Sequence, residues 1–343
     1  MINRSRVGWI DFARGIAILC VIIGHTTNDF IIRGVIFSFH MPLFFICSGM
    51  TYRVSQNTEE FLKKLKKSFI ALPLTAAILF LANDIALWLL PWGGVNTFSI
   101  TNELKALFFS SGFPVDSFIG NVKAIGMTWF FFALFTARII YDYICMKLDR
   151  KYAVMVSVIL MILGYIFGKM LWLPFSIDVA LVAVIFIISG SWYKSVFARY
   201  ENISVAATAG IVMLWAGLFT ATYFFGGTYL ALASRTYPAF PLCLVTALAG
   251  TAAIFCISII MQKAGKLFRV IEIVGRNSLL LFEIHYFDGI WSKLWNVFDN
   301  SAFMGQLGNT ALRLIIDIVI FAVIYMLKSK YYTNKKSVNK ENA

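Results

Sequence analysis

The sequence predicts an all-α polytopic membrane protein with about ten transmembrane helices and both termini in the cytoplasm. Hydrophobic residues make up 60% of the 343 positions and charged residues only 14%, with a mean hydropathy of +0.79. A soluble protein of this length needs a larger charged surface. The apolar runs extend over ~18–22 residues, which is enough for a helix to cross ~30 Å of hydrocarbon.

Ten apolar segments define the predicted helices. They cover residues 8–27, 35–52, 68–90, 126–146, 152–171, 178–194, 204–225, 239–261, 278–297 and 310–327. The longest stretch outside them is 91–125, whose TNELKALFF segment predicts a re-entrant or interfacial helix over the outer side. We predict one membrane domain over residues 1–330, followed by a basic cytoplasmic tail over residues 331–343.

The basic residues indicate the orientation. With a cytoplasmic N-terminus, the cytoplasmic segments carry about three times as many Lys and Arg as the opposite side, which is the usual bias of membrane proteins. The net charge of +13 therefore indicates topology and contact with anionic headgroups of the lipid bilayer, and not nucleic-acid binding. All five cysteines lie in predicted spans without CxxC spacing, so we predict no disulfide and no metal site.

Arg14 and His25 are the most informative residues of the first helix. Eleven residues separate them, so at ~100° per residue they lie within ~20° of each other and ~16 Å apart along the axis. An ionisable residue within a span costs ~2.5–3.5 kcal/mol on insertion scales and is a functional candidate by default. Asp11 is three residues before Arg14 and predicts a structural pair. The alternatives are an interfacial anchor for Arg14 and a packing role for His25.

The residue types suggest a chemistry for this face. A neutral imidazole at His25 can take a proton from a hydroxyl group, as a general base does. The permanently charged guanidinium of Arg14 suits a phosphate, a carboxylate or a carbonyl oxygen. A cationic site near the cytoplasm and a base nearer the outside would then share one helix face.

The second helix carries His40 and Ser48. His40 lies near its outer end, where it either orients a second substrate or caps the helix before Pro42. Ser48 is not in a GxSxG context and has no evident acid–base partner, so we expect it to pack with Gly49 against another helix.

Further ionisable residues lie in the later spans. Glu283 and His285 are two residues apart, so they point ~200° away from each other around a helix, whereas His285 and Asp288 are close enough to pair. Arg138 and Asp142, at i and i+4, predict a structural ion pair. The sequence assigns no partner to three further acidic residues, namely Asp84, Asp178 and Asp317.

Four segments resemble the acyltransferase-3 family of integral membrane acyltransferases, and within it the sugar O-acetylase branch. The first contains the family's basic residue, ten residues and then His, matched by Arg14 and His25. The segments are WIDFARGIAILCVIIGH (9–25), FHMPLFFICSGM (39–50), TWFFFALFTARII (128–140) and GRNSLLLFEIH (275–285). The chain departs from the family pattern at two places. Lysines replace the paired arginines before the third helix, and Met50 stands where the family has a bulkier residue.

This resemblance implies an O-acyltransferase of the bacterial cytoplasmic (inner) membrane. The implied donor is a cytoplasmic acyl-CoA, most simply acetyl-CoA, and the implied acceptor is a hydroxyl group of a cell-envelope glycan or lipid-linked sugar. The resemblance leaves open acetyl against succinyl, and direct transfer against a covalent acyl-His25 relay. A proton-coupled secondary transporter or flippase of an envelope precursor is the alternative function, and a membrane sensor or assembly subunit is a third.

The same resemblance suggests roles for individual residues. His25 is the expected base, and Arg14 is expected to fix the donor. Four cytoplasmic lysines are expected to attract the phosphates of CoA, and three residues are expected to hold the acceptor. The lysines are Lys63, Lys64, Lys66 and Lys67, and the acceptor residues are His40, Glu283 and His285.

Overall fold

The computed structural model describes residues 7–90, 97–117, 119–197 and 203–341, with side chains up to residue 331 except those of Ala264 and Leu267. Within these residues the chain is almost entirely helical. The helices are α1 (Gly8–Thr26), α2 (Phe30–Phe37), α3 (His40–Thr51), α4 (Thr58–Phe69), α5 (Thr75–Leu89), α6 (Ile100–Phe109), α7 (Trp129–Lys147), α8 (Arg150–Met170), α9 (Ile177–Phe197), α10 (Val205–Gly226), α11 (Leu242–Met261), α12 (Lys266–Arg276), α13 (Ser278–Tyr286), α14 (Ser292–Trp295) and α15 (Phe303–Glu341).

Nine helical segments of the described chain are long and apolar enough to span a membrane, which confirms the predicted class of fold. Two contain a join: α2 and α3 form one segment, and a turn of π-helix at Ile70–Leu74 connects α4 to α5. The predicted ninth span, 278–297, is wrong in its bounds. The chain instead runs through α12 and α13, which are separated at Asn277, and continues in short turns.

The first and last helices run antiparallel. The start of α1 faces α12, where a Cβ on Gly8 would lie 3.6 Å from the Phe268 ring. The end of α1 faces the beginning of α15, where Arg313 donates to the Thr26 hydroxyl. The start of α1 and the end of α15 therefore point towards the same side of the described structure. The assignment of that side to the cytoplasm stays a prediction, and Arg4, Arg6 and Arg199, which support it, lie outside the described residues, as do the tail side chains beyond residue 331.

The core lies around α9 and α11. In the most apolar part of Leu242–Met261, 67% of the residues are buried, but in that of Val205–Gly226 only 11% are buried. This difference places α10 at the lipid-facing edge. Helices α3 and α9 meet at two glycines, because a Cβ on Gly49 would lie 1.9 Å from the Ile187 carbonyl oxygen and one on Gly190 would lie 2.5 Å from that of Ile46. Small residues thus let the two backbones touch, as at many membrane helix crossings.

A small cap lies at the end of the helices opposite the start of α1, the side that the predicted orientation makes the outer one. It consists of α6, which confirms the helix expected in 91–125, and a hairpin of β1 (Val115–Ser117) and β2 (Gly120–Val122). Lys123 fastens the cap, since its ammonium binds Asp84 of α5 and lies 2.5 Å from Glu103 of α6. Burial raises the pKa of the Glu103 carboxyl above its ordinary value, against the opposing effect of Lys123.

The contact between α1 and α12 depends on glycine. A Cβ on Gly275 would lie 1.6 Å from the carbonyl oxygen of Asp11, and one on Gly15 would lie 2.3 Å from that of Ile271. We therefore expect Gly275→Ala to force the helices apart and to lower the free energy of unfolding by ~1–3 kcal/mol, the usual cost of overpacking. Thermal unfolding of the detergent-solubilised protein measures this effect.

Gly210 of α10 provides a matched control for that substitution. Its added Cβ would meet nothing within 4 Å, so Gly210→Ala should keep or slightly raise the unfolding temperature, because alanine is the better helix former. Equal unfolding temperatures for the two variants would show that the α1–α12 contact is not tightly packed.

Candidate functional site

One face of α1 forms a continuous stripe towards the interior. Arg14, Ile18, Val21 and His25 follow each other at intervals of three or four residues, which places them on the same side of a helix. Ile18, Val21 and His25 line one cavity. The part of the stripe from Ile18 to His25 therefore borders an internal space, and Arg14 lies on the same helix face one turn before it.

Two cavities meet at His25. The inner one, of about 130 Å³, lies beside Ile18 and Val21 of α1 and Ser278 of α13. The outer one, of about 260 Å³, lies beneath the outer cap. Both are lined by His25 and by three further residues, Met41, Met127 and Trp129. The side chain of His25 is accordingly exposed, although protein surrounds it, because it faces these spaces.

The outer cavity contains the polar groups. The Nδ1 atom of His40 lies 2.9 Å from the Ile36 carbonyl oxygen, to which it donates, and this leaves Nε2 as the acceptor nitrogen of a neutral ring. Arg33 also lines this cavity, with its guanidinium carbon 5.3 Å from the centroid of the Phe37 ring. Phe37 lies between the two histidines, 4.8 Å from the His40 ring and 6.3 Å from the His25 ring.

His285 lies behind His25 and lines neither of these cavities. The two rings are 6.1 Å apart, and the His285 side chain is fully enclosed. Its Nδ1 lies 2.9 Å from carboxylate oxygens of both Asp288 and Asp317, so Nδ1 carries the proton. Its Nε2 is buried without a hydrogen-bond partner. Direct contact with an acceptor was the expected role of His285. This geometry instead favours an action through His25.

Asp288, Asp317 and His285 form a compact cluster. One carboxylate oxygen of each aspartate and one imidazole nitrogen of His285 lie within 4.8 Å of one another. Arg313 donates to Asp288 and also, over 3.1 Å, to the hydroxyl of Thr26, the neighbour of His25. The guanidinium thus supplies the positive charge that the acidic cluster requires. The arrangement suits the orientation of an imidazole, as in a carboxylate–histidine pair.

A second basic site lies at the other end of the stripe. Arg14 Nη1 is 3.7 Å from Asp11, whose second oxygen lies 3.3 Å from Arg276 Nε. Arg14 is also an electrostatic neighbour of the Cys47 thiol, while Arg138 Nε donates over 2.6 Å to the hydroxyl of the next residue, Ser48. Two guanidinium groups therefore converge on consecutive residues of α3, and the charge of Arg14 acts on Arg138.

The predicted pair of Arg138 and Asp142 is wrong. Asp142 accepts hydrogen bonds from the backbone and hydroxyl of Ser55, both at 2.7 Å, and from the Tyr52 hydroxyl at 3.0 Å. Among the described residues, Arg138 has no carboxylate within 4.0 Å. Spacing along a helix permits an ion pair, but the loop after α3 provides better donors for Asp142, and this leaves Arg138 as an interior cation without an acidic partner.

The four lysines lie on α4, and two of them form ion pairs with acidic residues of the same helix. Lys63 is 2.5 Å from Glu59, and Lys64 is 3.0 Å from Glu60 and donates to the Arg53 carbonyl oxygen. Lys64 also lies 5.7 Å from the centroid of the Tyr52 ring. Lys66 and Lys67 are exposed. Arg138 contacts the same Tyr52 ring, so the structure links Lys64 to Arg138 through this tyrosine.

Glu283 lies away from the site. It is half-buried on α13, lines neither of the cavities at His25, and has Lys328 of α15 as an electrostatic neighbour. The three acidic residues without predicted partners are resolved by the fold, since Asp84 binds Lys123, Asp178 binds Arg235 and Asp317 binds His285.

Three site residues escaped the sequence reasoning, namely Arg33, Arg138 and Arg313. Arg138 was assigned to an ion pair, and Arg33 and Arg313 were given no role. The sequence did contain a signal, because each of these arginines lies within or at the edge of an apolar segment. An ionisable residue in that position is a functional candidate. Only tertiary structure shows that Arg33 faces a cavity and that Arg313 holds the acidic cluster.

The comparisons with known proteins identify the family. The chain matches the profile of the acyltransferase-3 family, described as an acyltransferase domain, over residues 7–328. Comparison with curated proteins and with solved structures gave no match. The predicted family is thus confirmed, whereas its sugar O-acetylase branch stays a prediction. The chain belongs to the acyltransferase-3 family, and it is a multi-pass membrane acyltransferase.

Proposed function

We propose that this protein transfers an acetyl group from cytoplasmic acetyl-CoA to a hydroxyl group of a cell-envelope glycan or lipid-linked sugar, in the bacterial cytoplasmic membrane. The observation that carries this proposal is the position of His25 where an inner and an outer cavity meet. A base at such a junction can receive a donor from one side and an acceptor from the other. Both termini and the donor site then face the cytoplasm.

The distance between Arg14 and His25 fits the donor. About thirteen bonds connect the sulfur of CoA to its first phosphorus, and an extended chain of that length covers ~15 Å at ~3.6 Å per three bonds. Eleven helical residues rise ~16 Å. A thioester carbon beside His25 would therefore place the diphosphate beside Arg14 and Arg138, with the pantetheine arm along Ile18 and Val21.

The lining of the inner cavity also indicates which acyl group is transferred. Apart from His25, its lining residues carry no ionisable side chain, and it has a volume of about 130 Å³. An apolar wall of this kind disfavours a free carboxylate, which would lose its hydration without gaining a partner. This supports acetyl over succinyl.

The residues suggest a direct transfer. His25 takes the proton of the acceptor hydroxyl as its oxygen bonds to the thioester carbon. The carbon–sulfur bond then breaks, and the proton passes from His25 to the thiolate, which leaves the ester and free CoA. His40 Nε2, in the outer cavity, orients the acceptor hydroxyl groups. Trp129 provides an aromatic face at the junction for a sugar ring.

Arg138 provides the test of the donor site. We expect Arg138→Gln to weaken acetyl-CoA binding by roughly 10–100-fold, because a charged hydrogen bond contributes ~1.5–3 kcal/mol. Binding of acetyl-pantetheine, which lacks the diphosphate, should not change. Thermal stabilisation of the purified protein measures both, since a donor at 100 times its dissociation constant adds ~2.7 kcal/mol.

Two further variants make this test decisive. Lys151→Gln removes the same charge from the exposed start of α8 and should bind acetyl-CoA like the wild type. Arg138→Lys keeps the charge and covers the case in which the glutamine variant does not fold. If acetyl-CoA fails to stabilise the folded wild-type protein, the donor assignment is wrong and a transporter becomes the better interpretation.

A further inference from the structure

Arg33 is an interior cation whose side chain is held by aromatic rings. It lies on α2 and lines the outer cavity together with His25 and His40. Its guanidinium carbon is 5.3 Å from the ring centroid of Phe37 and 6.0 Å from that of Tyr229. The two rings are themselves 5.5 Å apart in an edge-to-face contact. This support fixes the position of the guanidinium without neutralising its charge.

No acidic residue compensates Arg33 in the described part of the chain. The structure places no carboxylate within 4.0 Å of it there, and its Nε is buried without a hydrogen-bond partner. Asp29, one turn earlier, is used as a helix cap and accepts from the Ile32 amide over 2.8 Å. By contrast, Arg235 lies 3.1 Å from Asp178, and Arg313 binds Asp288.

An uncompensated guanidinium of this kind favours an anionic ligand. Burial of an unpaired charge is costly, and binding of a counter-charge removes that cost. The planar fork of arginine matches carboxylate and phosphate groups with two parallel hydrogen bonds. The neighbouring groups, His40 and the Trp129 ring, suit the hydroxyl groups and the face of a sugar.

The position of Arg33 also indicates which substrate carries the anion. Arg33 lines the outer cavity and does not line the inner one, where the donor is expected. Phe37 contacts both the Arg33 guanidinium and, at 6.3 Å between ring centroids, the His25 imidazole. An anion bound by Arg33 therefore lies on the acceptor side, close to the base.

We propose that the acceptor is an anionic sugar, which Arg33 binds through a carboxylate or phosphate group near the acylated hydroxyl. This inference rests on the proposed function and names its substrate class. The anionic group sets the orientation of the sugar ring, so that one hydroxyl faces His25. Neutral glycans are then poor acceptors.

Binding of simple sugars to the full-length protein in detergent tests this proposal. The probes are glucuronate, glucose 1-phosphate and glucose, compared at equal ionic strength by thermal stabilisation. We expect at least one anionic sugar to bind the wild type at least tenfold more tightly than glucose. A preference for glucuronate identifies a carboxylate as the anion, and a preference for glucose 1-phosphate identifies a phosphate.

Variants show whether Arg33 is responsible. Arg33→Gln should abolish the preference for the anionic sugar, and Arg33→Lys should reduce it, which keeps the test valid if the glutamine variant does not fold. Lys169→Gln is the matched control, since Lys169 is an exposed cation 4.3 Å from the centroid of the Tyr165 ring, outside the cavity. This control should retain the wild-type preference.

Acetyl-CoA and succinyl-CoA, added to the same samples, separate the possible failures. Stabilisation by acetyl-CoA without any preference for anionic sugars, or a preference that survives Arg33→Gln, overturns the assignment of Arg33 alone. A selective loss of succinyl-CoA binding in Arg33→Gln also overturns it, because the anion would then belong to the donor. Absence of acetyl-CoA binding in the folded wild type contradicts the proposed function itself.

Discussion

Replacement of His25 by alanine should abolish acyl transfer while donor binding persists. His25 faces both cavities, and the proposed proton transfer has no other imidazole exposed at their junction among the described residues. General bases contribute ~10²–10⁴-fold to a rate, so a fall of that size in kcat is expected. Release of CoA thiol from acetyl-CoA measures it, with an acceptor that the wild type modifies.

Cys20→Ala is the control for this variant. Cys20 lies on the same helix but lines neither of the two cavities, so its removal should leave transfer unchanged. Intact-mass measurement after incubation with acetyl-CoA, without acceptor, separates direct transfer from a covalent relay, because direct transfer predicts no acetyl adduct. Normal transfer by folded His25→Ala protein would show that His25 only packs.

The second large effect is expected for Asp317→Asn. Asp317 is completely enclosed, and one of its carboxylate oxygens lies 2.9 Å from His285 Nδ1. A carboxylate only accepts hydrogen bonds, so Asp317 and Asp288 together hold the proton on Nδ1, whereas an amide at position 317 can donate to that atom and weaken the preference for this tautomer. Because His285 lies behind His25, we expect kcat to fall by roughly 10²-fold, within the range for proton-transfer groups. The affinity for acetyl-CoA should stay unchanged.

The small number of histidines allows this role to be observed directly. The chain contains only three, so ¹⁵N-labelled histidine gives few signals, which His→Gln variants assign. Asp317→Asn should move the nitrogen signals of His285 and also those of His25. If the variant changes only the unfolding temperature, with kcat, its pH profile and the His25 signals as in the wild type, Asp317 is purely structural.

Physical reasons explain which elements the sequence predicted well. Apolar length and composition specify membrane helices locally, so the class of fold and most spans followed without tertiary information. The predicted ninth span was wrong in its bounds because α13 covers only part of it, and the preceding helix, α12, is amphipathic and charged, with Lys266, Arg269, Glu272 and Arg276. The packing of α12 on α1 depends on the close approach at Gly275, which hydropathy does not detect.

Helical periodicity also brought Arg14 and His25 onto one face, because eleven residues complete nearly three turns. Pairing of charges was less predictable. Spacing permitted Arg138 to bind Asp142, but Asp142 binds Tyr52 and Ser55 in the tertiary structure. Partner choice depends on donors that arrive from distant segments, and local sequence does not contain them.

The sequence by itself determined the membrane fold, the family and the shared helix face of Arg14 and His25, since each depends on local composition or helical period. Tertiary structure decided which polar groups face a cavity. It placed Arg33 and His40 with His25 at the outer cavity, enclosed His285 behind His25 and left Glu283 outside both cavities. The reason is that a cavity is a property of several helices packed together, and no single segment specifies its walls.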